Sequence, residues 1–350
     1  MIWARTQLDR TPTCCKTTAA LDGPQESLAK CTPLAGASEC RRPATGGPIR
    51  CGVRMTRCSI CESHASRGTV AVACLVVAVW LAGCGGSTSS TGASPAARPD
   101  PTFEHVHGLG INPRDGALYI ATHTGLFRAA RGVGTVSRVG ATAQDVMGFT
   151  VIGPDRFLGS GHPDPQESTQ PPNLGLIRSD SAGRSWTPVS LAGAADFHVL
   201  RSVGDRIAGF NGLTGRLMVS ADGGETWTAH RPPGPLVDLA IAPRRPGRLV
   251  ASTDQALLFS PNGGRGWKTL RPRSAGLLAW PRANRLFWLD ARGAVRVSSD
   301  SGISWRDRGM VGGRPAALTS AGGDLYAALE DGTVKRSQDD GATWSIRARP

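Results

Sequence analysis

Cysteine is absent from the last 266 of the 350 residues, because all nine lie between Cys14 and Cys84. That stretch can therefore hold neither disulfides nor thiolate metal sites. Tyrosine occurs twice, at Tyr119 and Tyr326, and aromatic residues make up 5% of the chain. A membrane-spanning helix needs about 20 apolar residues. The most apolar stretch, TVAVACLVVAVWLA from Thr69 to Ala82, has 14. Basic residues outnumber acidic ones by 40 to 27, for a formal charge of +13. Downstream of Cys84 the arginines are scattered, with no basic run and no aromatic platform between them. That pattern argues against nucleic acid as a partner.

What the chain does have is one short pattern repeated five times. The copies are SDSAGRSW (Ser179 to Trp186), SADGGETW (Ser220 to Trp227), SPNGGRGW (Ser260 to Trp267), SSDSGISW (Ser298 to Trp305) and SQDDGATW (Ser337 to Trp344). Their tryptophans are 41, 40, 38 and 39 residues apart, which is the period of a four-stranded propeller blade. A short acid or amide binds backbone amides in a tight turn, glycine supplies positive φ, and the indole packs between neighbouring sheets. Asp222, Asp300 and Asp339 hold the acidic position, with Asn262 in the third copy and Ser181 in the first. Those two replacements are expected to weaken their turns.

The pattern Ser-x-Asp-x-Gly-x-Thr-Trp resembles the Asp-box, or BNR repeat, of sialidase, sortilin-type and photosystem-assembly-factor propellers. In those families the box staples the fold away from any active site, so no catalysis is placed on it. Each repeat resolves into four short strand-like segments bounded by Gly, Pro or Asp, as in FHVLRSV, RIAGFN, GRLMVS and TWTAHR. A degenerate unit, HVHGLGINP, ALYIATHT, GLFRAA and TVSRVG, precedes the five clear copies. The expected fold is all-β: a six-bladed propeller of four-stranded antiparallel blades with Asp-box turns, over residues 104–350.

The N-terminal part reads differently. Arg57 and Arg67 precede the apolar stretch, and Leu81-Ala82-Gly83-Cys84 closes it. Residues 55–84 thus have the form of a signal peptide with a bacterial lipobox, in which Cys84 is lipidated. Residues 85–103, rich in Gly, Ser and Pro, read as a flexible tether. Residues 1–54 lack periodicity and fit poorly ahead of a signal peptide; they read as disordered or as an over-extension, with Met55 as the start. Cys58 and Cys61 have CxxC spacing, but without a second pair they do not suggest zinc. A cell-membrane lipoprotein on the extracytoplasmic face is the expected location, with the membrane as one partner.

Strand direction then sorts residues by face. First strands begin, and second strands end, at one rim of the channel; boxes between third and fourth strands occupy the other. Five of the seven histidines fall on the first rim: His105, His107, His123, His162 and His198. Counting back from Pro113, Pro154 and Gly204 places His107, Gly148 and His198 at equivalent positions. Asp145, Asp164 and Asp196 lie beside the histidines. Neutral imidazoles with carboxylates ligate Zn or Cu. The same residues can instead cap strand ends, or line a pocket for a small molecule, a glycan or an envelope protein.

The segments HVHGLGINPRDGALYIATHTGLFR, MGFTVIGPDRFLGSGHPDP and ADFH resemble bacterial Asp-box lipoproteins labelled glycosyl hydrolases or exo-sialidases. That resemblance implies a propeller in the cell envelope. A sialidase site would require an arginine cluster, a tyrosine nucleophile paired with a glutamate, and an aspartate acid/base. Tyr119 and Tyr326 fall within second strands, the Phe-Arg-Ile-Pro motif is missing, and nothing gathers Arg156, Arg201 and Arg206. Another glycoside hydrolase needs only two carboxylates about 5 to 9 Å apart, for which Asp145, Asp164 and Asp196 are the candidates. The leading expectation is a lipid-anchored binding or assembly module, with a glycoside hydrolase as the alternative.

Overall fold

The computed structural model describes residues 105–350 except residue 168. Cys84 and the expected signal peptide, lipobox and tether lie outside the described residues. No helix occurs among the described residues; 24 strands form six four-stranded antiparallel sheets. Blade one is β1 (Val106–Ile111), β2 (Leu118–Thr122), β3 (Gly125–Ala129) and β4 (Ser137–Arg138). Blade two is β5 (Asp145–Gly153), β6 (Arg156–His162), β7 (Leu176–Ser179) and β8 (Thr187–Ser190). Blade three is β9 (Phe197–Val203), β10 (Arg206–Asn211), β11 (Arg216–Ser220) and β12 (Thr228–His230). Blades four, five and six run from β13 (Leu236–Ile241) to β16 (Lys268–Pro272), from β17 (Gly276–Arg282) to β20 (Arg306–Met310), and from β21 (Pro315–Ala321) to β24 (Ser345–Ala348). The fold is the six-bladed propeller that the repeat period predicts.

Burial explains the composition of each strand. A blade's second strand is covered on both faces by its neighbours, so LYIAT in β2 and LVAST in β14 (Leu249–Thr253) are buried throughout. Such doubly covered strands read as continuous apolar runs instead of alternating ones. Outer strands lie at the edge of the disc and are polar, as in KTLRP of β16 and RDRGM of β20. Core clusters form between adjacent blades, including one of Val106, Ile120 and Phe127 from blade one with Tyr326 and Val334 from blade six. Every sheet is made of four consecutive strands, so side-chain packing closes the ring without strand exchange. Arg347 adds hydrogen bonds to the carbonyls of Ala129, Ala130 and Val133 across that closure.

The repeated turn keeps one geometry in all five copies. Its buried serine Oγ accepts the amide of the glycine four residues on, at 2.8–2.9 Å, from Ser179 with Gly183 to Ser337 with Gly341. The residue at the acidic position accepts a second amide: Thr226 for Asp222 at 3.0 Å, Ser304 for Asp300 at 2.9 Å and Thr343 for Asp339 at 2.9 Å. Asn262 accepts Gly266 N at 2.9 Å and Ser181 accepts Ser185 N at 3.0 Å. The expected weakening in those two copies is therefore not seen in the hydrogen bonding, since an amide or hydroxyl oxygen fills the acceptor role. The five tryptophans are half-buried against inter-blade clusters.

Candidate functional site: the histidine-rich mouth

Irregular pairing at the start of the inner strands positions the site. In β1, β5, β9, β13 and β21 the register slips by one residue near the channel mouth. The residues skipped are His107, Met147, His198, Val237 and Ala316. A bulge re-aims a side chain out of the pleat. Here the skipped residue leaves the ladder at the mouth end of its strand; Val237 is 43% exposed, while Met147 stays buried. This register corrects the counting from Pro154: the blade-two equivalent of His107 is Met147, not Gly148. β5 has a second slip between Val151 and Gly153, which adds a residue that counting along the sequence misses. Gly148 has its own reason to be glycine. A β-carbon there would clash with the Phe197 carbonyl of the neighbouring inner strand, so its absence lets blades two and three close up.

The same register sorts the other polar residues into corresponding places. Two positions before the bulge stand His105, Asp145 and Asp196 in blades one, two and three. One residue beyond the pairs of Val106 with Thr122, Val146 with Gly161 and Phe197 with Asn211 come His123, His162 and Gly212.

All five predicted rim histidines gather at this mouth, with Asp145 and Asp196 among them. Asp145 Oδ2 accepts a hydrogen bond from His123 Nδ1 at 2.8 Å, and its Oδ1 faces His107 Nε2 at 3.8 Å. Both His107 Nε2 and Asp145 Oδ1 are buried and have no hydrogen-bond partner. The His107 and His123 rings stack edge to face at 4.4 Å, and His105 lies 5.5 Å from His123. His107, His123 and Asp145 each offer a ligand atom, all within 4.8 Å of one another. Around Asp196, His198 Nε2 lies 2.7 Å and His162 Nε2 3.8 Å from Oδ2, while Oδ1 is buried and unpartnered.

Electrostatics at the mouth follow from burial and crowding. Burial, together with the neighbouring imidazoles of His123, His105 and His198, lowers the His107 pKa to about 3. Its ring is therefore neutral and offers a lone pair at physiological pH. Burial raises Asp145 against the opposing hydrogen bond from His123. His198 is raised because its hydrogen bond to Asp196 favours the imidazolium over the cost of burial.

Asp164 is placed otherwise. Its oxygens accept the amides of Gln166 at 3.0 Å and Ala143 at 2.7 Å, and these bonds hold its pKa down. It staples the long loop of blade two to the preceding segment. Polar residues where second strands end in other blades are turn caps as well: Asn211 accepts Leu213 N at 3.1 Å, Asp290 Arg292 N at 2.9 Å and Asp331 Thr333 N at 2.9 Å. Arg201 pairs with the buried Asp238 at 2.6 Å. Tyr119 lies in a core cluster, its ring edge to face with Phe157. Met147 and Gln144, whose buried Nε2 has no partner, are neighbours that sequence reasoning missed. Only the bulge register singles out Met147.

No protein-family model matches the chain, and no curated protein matches it. Among solved structures it is similar to a chain of a nidogen/laminin complex, with a TM-score of 0.52 at 15% identity over 67% of this chain and 93% of that one. The likeness is one of fold. YCF48 from Cyanidioschyzon merolae aligns with a TM-score of 0.46 at 16% identity, covering 71% of this chain and 86% of that one. An ancestral GH74 enzyme aligns with a TM-score of 0.47 at 14% identity, covering 71% of this chain and 39% of that one.

Proposed function

We propose that this Asp-box propeller is a lipid-anchored binding or assembly module of the bacterial envelope whose mouth holds a transition metal. The observation that carries the metal reading is the triad His107, His123 and Asp145, with a buried imidazole nitrogen and a buried carboxylate oxygen both unpartnered and 3.8 Å apart. Ligand atoms about 2.1 Å from a tetrahedral ion stand roughly 3.4 Å apart. A small closure would thus bring both onto one metal. Two imidazoles and a carboxylate suit Zn or Cu. An open fourth position would admit a group from a partner protein, a peptide or a glycan.

The anchor rests on the lipobox ending at Cys84. Labelling with a palmitate analogue should depend on Cys84, and label that persists in Cys84→Ser removes the anchor. For the metal, His107→Ala with His123→Ala should remove the Zn or Cu held by the His107, His123 and Asp145 triad; uptake unchanged in that variant removes the reading. Turnover of a chromogenic glycoside that disappears in Asp145→Asn would replace it with a glycoside hydrolase.

A further inference from the structure

The blade repeat that makes the first triad also makes a second one, one blade further round. In the first, Asp145 at the start of β5 reaches across the blade boundary to His123, just past the end of β2. The corresponding residues one blade on are Asp196, just before β9, and His162, the last residue of β6. They face each other across the boundary through the other ring nitrogen and at a longer distance, His162 Nε2 lying 3.8 Å from Asp196 Oδ2 against 2.8 Å for His123 Nδ1 and Asp145. The place of His107 is taken in blade two by Met147, and His198 of blade three reaches the carboxylate instead, at 2.7 Å. We infer that the mouth has a second transition-metal position held by His162, Asp196 and His198.

Three observations point to a ligand there. Asp196 is 4% exposed and, although Oδ2 takes the His198 bond, its Oδ1 is buried without a partner, which is costly for a carboxylate oxygen. His162 Nδ1 bonds the carbonyl of Pro172 at 2.8 Å. A carbonyl only accepts, so Nδ1 carries a proton, and in the neutral ring Nε2 is then the nitrogen with the lone pair. A metal-bound histidine commonly donates its other ring nitrogen to such a carbonyl. The His162 lone pair and the Asp196 carboxylate are therefore two acceptors facing one another, and a cation between them resolves that arrangement. His198 is half-exposed, 46% by side chain, so it can complete the set by a rotamer change without moving backbone. Gly212, at the place of His123 and His162, leaves His198 room, since a β-carbon there would sit 2.9 Å from His198 Nε2. The series ends at blade three because Gly212 and Pro235 stand where a third pair would need histidine and aspartate.

This inference rests on the reading of the mouth as a metal site, and ion counting separates the two. The full chain, with its cysteines alkylated and stripped by chelator, is given Zn²⁺ alone, and bound metal per chain is measured after gel filtration. Two ions are expected in the wild type, with one remaining in His162→Ala/His198→Ala and one in His107→Ala/His123→Ala. One ion in the wild type that survives in His162→Ala/His198→Ala overturns the second position and leaves the first. A single ion lost from both variants means one shared centre and also overturns it. No ion in the wild type removes both readings. The wild-type count needs no variant to fold, and circular dichroism and melting curves that match the wild type check that each variant keeps the ring folded.

Discussion

Four carboxylates illustrate how the same residue type does different work in one chain. Asp300 and Asp339 sit in the repeated turns with pKa values of about 2. For Asp300 slight burial acts upward, but hydrogen bonds from Ser304 and Ser298 outweigh it; for Asp339 the bonds from Thr343 lead. Because the folded pKa lies below the ordinary 3.8, the stability they contribute is present above that value and lost as pH falls toward 2. Melting temperature measured from pH 5 to 2 should fall across that window, and Asp300→Asn/Asp339→Asn should flatten the fall; an unchanged slope would mean the turns do not hold these ions. Asp145 is shifted in the opposite direction by burial. Nothing in the local sequence separates Asp145, which receives an imidazole, from Asp164, which receives two amides. Asp145 opens β5 and Asp164 lies just beyond β6 of the same blade, and the difference is made by His123 from another one.

At the scale of the strand, the period of the boxes made the blades legible because each copy carries its own serine, acceptor and tryptophan. The bulges were not legible. A register slip leaves no fixed residue at its place, as His107, Met147, His198, Val237 and Ala316 show. The gathering of histidines at one mouth could be read from strand direction alone, whereas their pairing with particular carboxylates depended on this register. Close approach of the inner strands is also testable here. Gly148→Val would drive a side chain into the Phe197 carbonyl and should destabilise by about 1–3 kcal/mol, as overpacking does, measured by urea unfolding. A neutral result would mean that blades two and three are looser than described. Trp227 packs against Phe197 at 5.1 Å and donates to Gly224 O at 3.0 Å. Trp227→Ala should cost about 3 kcal/mol in the same measurement.

The ring as a whole is closed by packing between its first and last blades, with no strand shared between them. Arg347→Met keeps the aliphatic stem and removes the three bonds to blade one. It should lower stability by about 1–3 kcal/mol; no change would assign closure to the apolar cluster alone. Closure is also what brings chemistry from distant parts of the chain together. Residues 105 and 198 are far apart in sequence, yet successive blades present their inner-strand starts around one opening. Anomalous diffraction at the Zn edge, on crystals grown with Zn²⁺, tests that claim most directly. The account predicts a peak within about 2.2 Å of His107 Nε2 and an Asp145 oxygen. A mouth free of anomalous density, with those side chains in place and Zn²⁺ in excess, would contradict it.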